Sequence, residues 1–164
     1  MDPKEICRQT LNGSDTFIQM YLQGLSDSDL LVQAVPGMNP IAWQLGHLIS
    51  VERMIVEALK PNSCPALPEG FDAAHGKGKG QVQPPEGFLP LADYEALWKQ
   101  QRAATLAALD AVPSAELDDP SPIERLRHRA PTVGQTFNFV GLHTMLHVGQ
   151  FVAVRRVLDK PVAL

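Results

Sequence analysis

His143 and His147, in His143-Thr144-Met145-Leu146-His147, stand four residues apart. On an α-helix that spacing stacks two side chains on one face, where two imidazoles can share one metal ion. Val140 on one side and Phe151 and Val154 on the other continue the stripe, so the pair faces an apolar interior. Two buried imidazoles are costly unless their ring nitrogens find partners, and a metal supplies one partner for both. A third imidazole is offered by Trp43-Gln44-Leu45-Gly46-His47-Leu48, where His47 shares its face with Gln44, Val51 and Met54. Three histidines from two helices, with one position left for water or substrate, compose an open catalytic site that suits zinc or nickel.

Other residues compete less well for that role. Cys64 and His75 fall in a long loop, and His128 stands among Arg125, Arg127 and Arg129, whose charges oppose a dication. The chain has no Cys-x-x-Cys, no His-Glu-x-x-His and no nucleophile-elbow motif. His75-Gly76-Lys77-Gly78-Lys79-Gly80 lacks the Ser or Thr and the flanking strand and helix of a phosphate loop, so it reads as a solvated loop. Gln44 and Gln150 lie one helical turn from His47 and His147, close enough to orient a ligand or its water. Glu52 points roughly 140° away from the His47 face and reads as a surface or inter-helix ion pair. Trp43 reads as packing for the helix start, with substrate stacking as the alternative. Gly46 and Gly149 each cost roughly 1 kcal/mol in mid-helix, in exchange for close packing or for room beside a metal.

Helical periodicity appears in four segments, and no segment shows the alternating β-branched pattern of a strand. The expected helices run from about Pro3 to Gly24, from Asn39-Pro40 to Lys60, from Leu91 to Val112, and from Thr132 to Leu158. Asn39 is the expected cap of the second, and Thr132 with Gln135 a capping box for the fourth, whose last turn carries Arg155 and Arg156. Ser121-Pro122-Ile123-Glu124 suits a short extra turn. Four helices of about 30 Å make an all-α four-helix bundle, here one domain over residues 1–164. Between the second and third, Pro61 to Pro90 holds six prolines and five glycines, a stretch able to cross over the bundle or cover one end.

Composition narrows the partners. With 14 Lys and Arg against 18 Asp and Glu, the net charge of −4 includes no basic block for nucleic acid. Two distant cysteines, Cys7 and Cys64, read as free thiols in a reducing cytoplasm, and the N-terminus lacks a secretory pattern. Ala130 to Val154 is free of formal charge, yet its histidines, glutamines, asparagine and threonines are too many polar groups for lipid. The expected partner is a small-molecule substrate, with neither nucleic acid nor membrane.

The block Asn39 to Leu48 followed by Glu52, and the block His143 to Gln150 followed by Arg155-Arg156, resemble the second- and fourth-helix signatures of the DinB-like family. The resemblance extends over nearly the whole chain. It implies an up-up-down-down four-helix bundle with a long crossover between the second and third helices. It also implies a divalent metal, nickel or zinc, on His47, His143 and His147, which match the family positions one for one. Some relatives transfer low-molecular-weight thiols, so the resemblance implies a thiol cosubstrate and an S-transferase activity, with pairing into homodimers. Metal-assisted hydrolysis, or a non-catalytic metal or ligand-binding module, are the alternatives.

Overall fold

The structure is a computed structural model that describes residues 2–79 and 87–162 of the 164-residue chain. Among these residues it is all-helical. Four long helices, α1 (Pro3–Leu22), α2 (Ile41–Leu59), α4 (Leu91–Ala111) and α5 (Val133–Val157), form the bundle, and a one-turn helix α3 (Phe71–Ala74) lies in the long connection. Short 3-10 turns occupy Asp29–Leu31, Ser114–Asp118 and Glu124–Leu126, the last at the turn expected after Ser121, whose hydroxyl accepts the Ile123 N–H.

Local chemistry explains most of the boundaries. Asp2 accepts the Lys4 N–H and Pro3 fills the first turn of α1, while Gly24 takes a φ of +74° just past its end. Thr132 and Gln135 make both hydrogen bonds of the capping box that opens α5. Asn39 does not cap α2. The helix begins after Pro40 with no side-chain cap, and the Asn39 carbonyl instead accepts from the Gln44 amide.

Two apolar clusters fix the helix directions. One gathers Ile18 and Tyr21 of α1, Leu45 and Leu48 of α2, Tyr94 and Trp98 of α4, and Phe151 and Val154 of α5. The other gathers Leu11 of α1, Ile55 and Val56 of α2, Leu109 of α4, and Phe137 and Val140 of α5. The C-terminal half of α1 thus meets the N-terminal halves of α2 and α4 and the C-terminal half of α5. The order is therefore up-down-down-up rather than the expected up-up-down-down. The physical reason lies in segment 23–40, which does not run the length of the bundle. Its Leu25 and Leu30 are buried in the first cluster, so it plugs that end and returns the chain antiparallel. The expected crossover between α2 and α4 includes residues 80–86, which lie outside the described residues. Each fully buried Leu, Ile or Phe in these clusters contributes roughly 1.5–3 kcal/mol.

A polar layer separates the clusters. Glu52, Arg102, Thr105, Thr144 and Ser14 each fall between the two apolar sets along their helices and are buried. The Arg102 guanidinium reaches Glu52 at 3.0 Å, the Leu11 carbonyl at 2.7 Å, and the hydroxyls of Ser14 and Thr144 at 3.0 and 3.3 Å. Thr105 donates to the other Glu52 oxygen at 2.6 Å. Glu52 is thus the inter-helix ion pair anticipated, but buried rather than at the surface. At the far end, Arg155 donates to the Tyr21 and Gln23 carbonyls, so it caps α1, which runs parallel to its own helix.

Helix α5 is long and apolar enough to cross a membrane, with a mean hydropathy of 1.2 in its most apolar window. Its Thr136, Thr144, His147 and Arg155 are nonetheless buried against the rest of the bundle.

The glycines divide by their surroundings. A Cβ on Gly46 would fall 2.0 Å from the His75 ring, and one on Gly141 would fall 2.7 Å from Thr10, so both permit close packing. A Cβ on Gly149 would meet nothing. Gly149→Ala is therefore expected to raise stability by about 0.5–1 kcal/mol through helix propensity, whereas Gly46→Ala lowers it by displacing His75. Denaturant midpoints of the two variants check the opposite signs.

Candidate metal centre

Helices α2 and α5 run antiparallel past one another and bring His47, His143 and His147 together. Their ligand atoms all lie within 4.8 Å of one another. The ring centroids are 5.4 Å apart for His47 and His143, 5.3 Å for His47 and His147, and 4.8 Å for His143 and His147. The i, i+4 spacing sets the last of these, and the crossing of α2 over α5 sets the other two.

The surroundings keep the imidazoles neutral. Burial, reinforced by His143 and His47, pushes His147 down to about 3. Burial, with His47 and then Arg129, pushes His143 down to about 4. His47 is lowered in the same sense by burial and by the neighbouring His75. At neutral pH each ring therefore carries a nitrogen lone pair, the form a metal ligand requires.

Gln44 sets the orientation of one ring. Its amide Nε2 donates to the Asn39 carbonyl at 2.8 Å, which turns its Oε1 toward His147 Nδ1 at 2.9 Å. An amide oxygen only accepts, so Nδ1 carries the proton and Nε2 is left with the lone pair. Gln150 is half-buried and, among the described residues, has no hydrogen bond to any of the three histidines.

Two aromatic rings brace the others. Trp43 lies parallel to His47 at 4.7 Å, and Phe139 lies parallel to His143 at 5.7 Å. Trp43 is buried, and its indole N–H donates to the Gly76 carbonyl at 3.0 Å, so it does more than pack the helix start. Phe139 was not foreseen, although it stands four residues before His143 on the same stripe.

In the loop expected to be solvated, Lys77, Gly78 and Lys79 are exposed and Gly80 lies outside the described residues, but His75 departs from that expectation. His75 is buried, with Nδ1 on the Phe71 carbonyl and Nε2 on the Tyr94 hydroxyl, both at 2.7 Å. The carbonyl fixes the proton on Nδ1, so Tyr94 donates to Nε2 while accepting the Leu89 N–H. Burial accordingly holds the Tyr94 phenol up at about 12. Both His75 nitrogens are occupied, which separates it from the trio. Cys64 is likewise engaged, accepting from Gln101 Nε2 at 3.3 Å, and burial pushes its thiol and that of Cys7 up.

Beside the trio opens a cleft of about 530 Å³ with His47 in its wall, and with Ser50, Met54, Asp72, Lys77 and Arg125 around it. The donor chemistry, the neutral rings and the Gln44 clamp fit a divalent ion, and of the three histidines His47 is the one in the cleft wall.

No curated protein matches the chain. The family model described as DinB superfamily does match, over residues 17–151. That span contains the trio, Gln44 and, of the polar layer, Glu52, Arg102, Thr105 and Thr144, so the helical bundle and its three-histidine group are those of a chain that belongs to the DinB superfamily.

Proposed function

We propose that His47, His143 and His147 hold a divalent metal, zinc or nickel, and that the chain joins a low-molecular-weight thiol to an electrophilic small molecule in a reducing cytoplasm. The observation that carries this reading is the convergence of three neutral imidazoles beside an open cleft. When bound, the ion supplies the Lewis acidity that deprotonates an approaching thiol at neutral pH.

The chain's own residues do the rest. Gln44 holds His147 in the tautomer that presents Nε2, and Trp43 and Phe139 fix the planes of the other two rings. Trp43 also ties down Gly76, which stands with His47 in the cleft wall. Neither Cys7 nor Cys64 supplies the sulfur, since both thiols are held up by burial and engaged in hydrogen bonds. The sulfur therefore comes from a cosubstrate. Its carbon–sulfur bond forms as the bond to the leaving group breaks, and the thiol proton passes to solvent.

The test is turnover of a chloroaromatic electrophile by zinc- or nickel-loaded protein with and without added thiol. Consumption that requires both thiol and metal, and that is lost in His143→Ala, supports the reading. Ester or amide cleavage without thiol would replace it with hydrolysis, and retention of metal with neither activity would leave a binding module.

A further inference from the structure

Positive charge in the cleft beside His47 is not neutralised by the protein. Elsewhere on the surface Arg8 reaches Asp110, Arg127 reaches Glu124 and Lys160 reaches Asp29. Arg125, in the cleft wall, instead places Nη2 on the Met54 thioether at 3.1 Å, and among the described residues it has no carboxylate within ion-pair distance. A thioether is a weak acceptor, and four of the five guanidinium N–H groups remain for another ligand.

The two carboxylates of the cleft are already engaged. Glu57 accepts the Asn62 and Cys64 N–H groups, one on each oxygen, at 2.7 and 2.9 Å. Asp72 accepts the Ser50 hydroxyl at 2.6 Å. Against them stand Arg53, Lys77 and Arg125, so the cleft carries an excess of one positive charge. That balance fits a single carboxylate better than a dianionic phosphate.

Both outer cations are held on tethered backbone. Arg125 lies on the Glu124–Leu126 turn, between the buried Ile123 and the buried Ala130, whose N–H donates to the Leu126 carbonyl. Lys77 follows Gly76, whose carbonyl takes the Trp43 indole N–H, and Trp43 stacks on His47. One cation thus stands on the connection between α2 and α4 and the other on the connection between α4 and α5, and both line the cleft that has His47 in its wall.

We propose that this cleft binds the carboxylate of the thiol cosubstrate, through Arg125 with Lys77 as its neighbour, so that the protein selects carboxylate-bearing thiols. The inference rests on the thiol-transfer reading. The reactant whose sulfur meets the trio is the one whose tail lies along the wall containing His47. Arg125 can then grip a carboxylate in the two-pronged manner open to guanidinium.

The test follows the Trp43 indole N–H by NMR while protein is titrated with 3-mercaptopropionate, with its methyl ester, and with glutarate, which has no thiol. On zinc-loaded protein the acid is expected to bind at least tenfold tighter than the ester. Arg125→Gln should erase that difference and leave ester binding as it was, whereas Arg127→Gln, whose native side chain pairs with Glu124, should change neither. Glutarate should shift the same resonance in metal-free protein, with the shift lost in Arg125→Gln. Equal affinity for acid and ester on zinc-loaded protein, with no effect of glutarate, would overturn the inference while leaving the metal reading intact. Arg125-dependent glutarate binding in a protein that takes up no zinc would uphold the carboxylate site and overturn the metal reading. Tighter binding of 3-phosphonopropionate than of glutarate would overturn the assignment to a carboxylate.

Discussion

Glu52→Ala is expected to cost about 3–5 kcal/mol of folding stability, because it leaves the Arg102 guanidinium buried without its counter-ion. Both side chains are nearly inaccessible, at 5% for Arg102 and 3% for Glu52. Burial pushes the Glu52 carboxyl up, and Arg102 and Thr105 pull against that push. The remaining Arg102 partners, the Leu11 carbonyl and the Ser14 and Thr144 hydroxyls, are neutral and cannot replace a carboxylate. For a chain of this size a loss of that order lowers Tm by about 10 °C or more. Pairing Glu52→Leu with Arg102→Leu removes both charges together, so the double variant should be markedly more stable than Glu52→Ala alone. Denaturant midpoints of the three proteins decide it. A double variant no more stable than the single one would show that the polar layer is held by something other than this ion pair.

The second large effect is a loss of stability in acid that metal opposes. His147 sits near 3 and His143 near 4 in the folded chain, below their ordinary 6.5. Below pH 6.5 the unfolded chain therefore takes up protons that the folded chain refuses, and stability falls as pH falls until the folded values are reached. For the buried His147 the slope approaches about 1.4 kcal/mol per pH unit in that window, and His143 acts in the same sense. Metal-free protein should lose stability steeply between pH 6.5 and 4. Metal-loaded protein should resist until protons displace the ion, and above pH 7 metal uptake should release almost no protons because the rings are already neutral. Thermal melts across pH, with and without zinc, check the window. A flat profile for the metal-free chain would mean that the histidines are not buried as the structure has them.

Much of the site was legible because its geometry is local. The four-residue gap between His143 and His147, the stripe through Val140, Phe151 and Val154, and the place of Gln44 one turn from His47 all follow from helix periodicity. What escaped depends on partners distant in sequence. Glu52 was placed on the correct side of α2, away from His47, but it is buried because α4 sends Arg102 and Thr105 to it, and α1 and α5 hold Arg102 in turn through the Leu11 carbonyl and the Ser14 and Thr144 hydroxyls. Arg102 was not singled out at all, although it stands one turn from Trp98 and its guanidinium lies 4.6 Å from the Trp98 ring. The docking of His75 against Gly46 joins a loop to a helix about 30 residues away, and only the tertiary contact explains the mid-helix glycine. Helix direction was hidden for a related reason. The connections before α2 and before α5 are of similar length, and length alone does not reveal that Leu25 and Leu30 fill the end of the core.

The most direct test of the central claim is elemental analysis of untagged protein purified without chelator, comparing the native chain with His143→Ala. The account predicts about one zinc or nickel per chain, lost in the variant while circular dichroism remains helical. A native chain that takes up no metal even in excess zinc or nickel would contradict it, and so would a His143→Ala variant that keeps its metal.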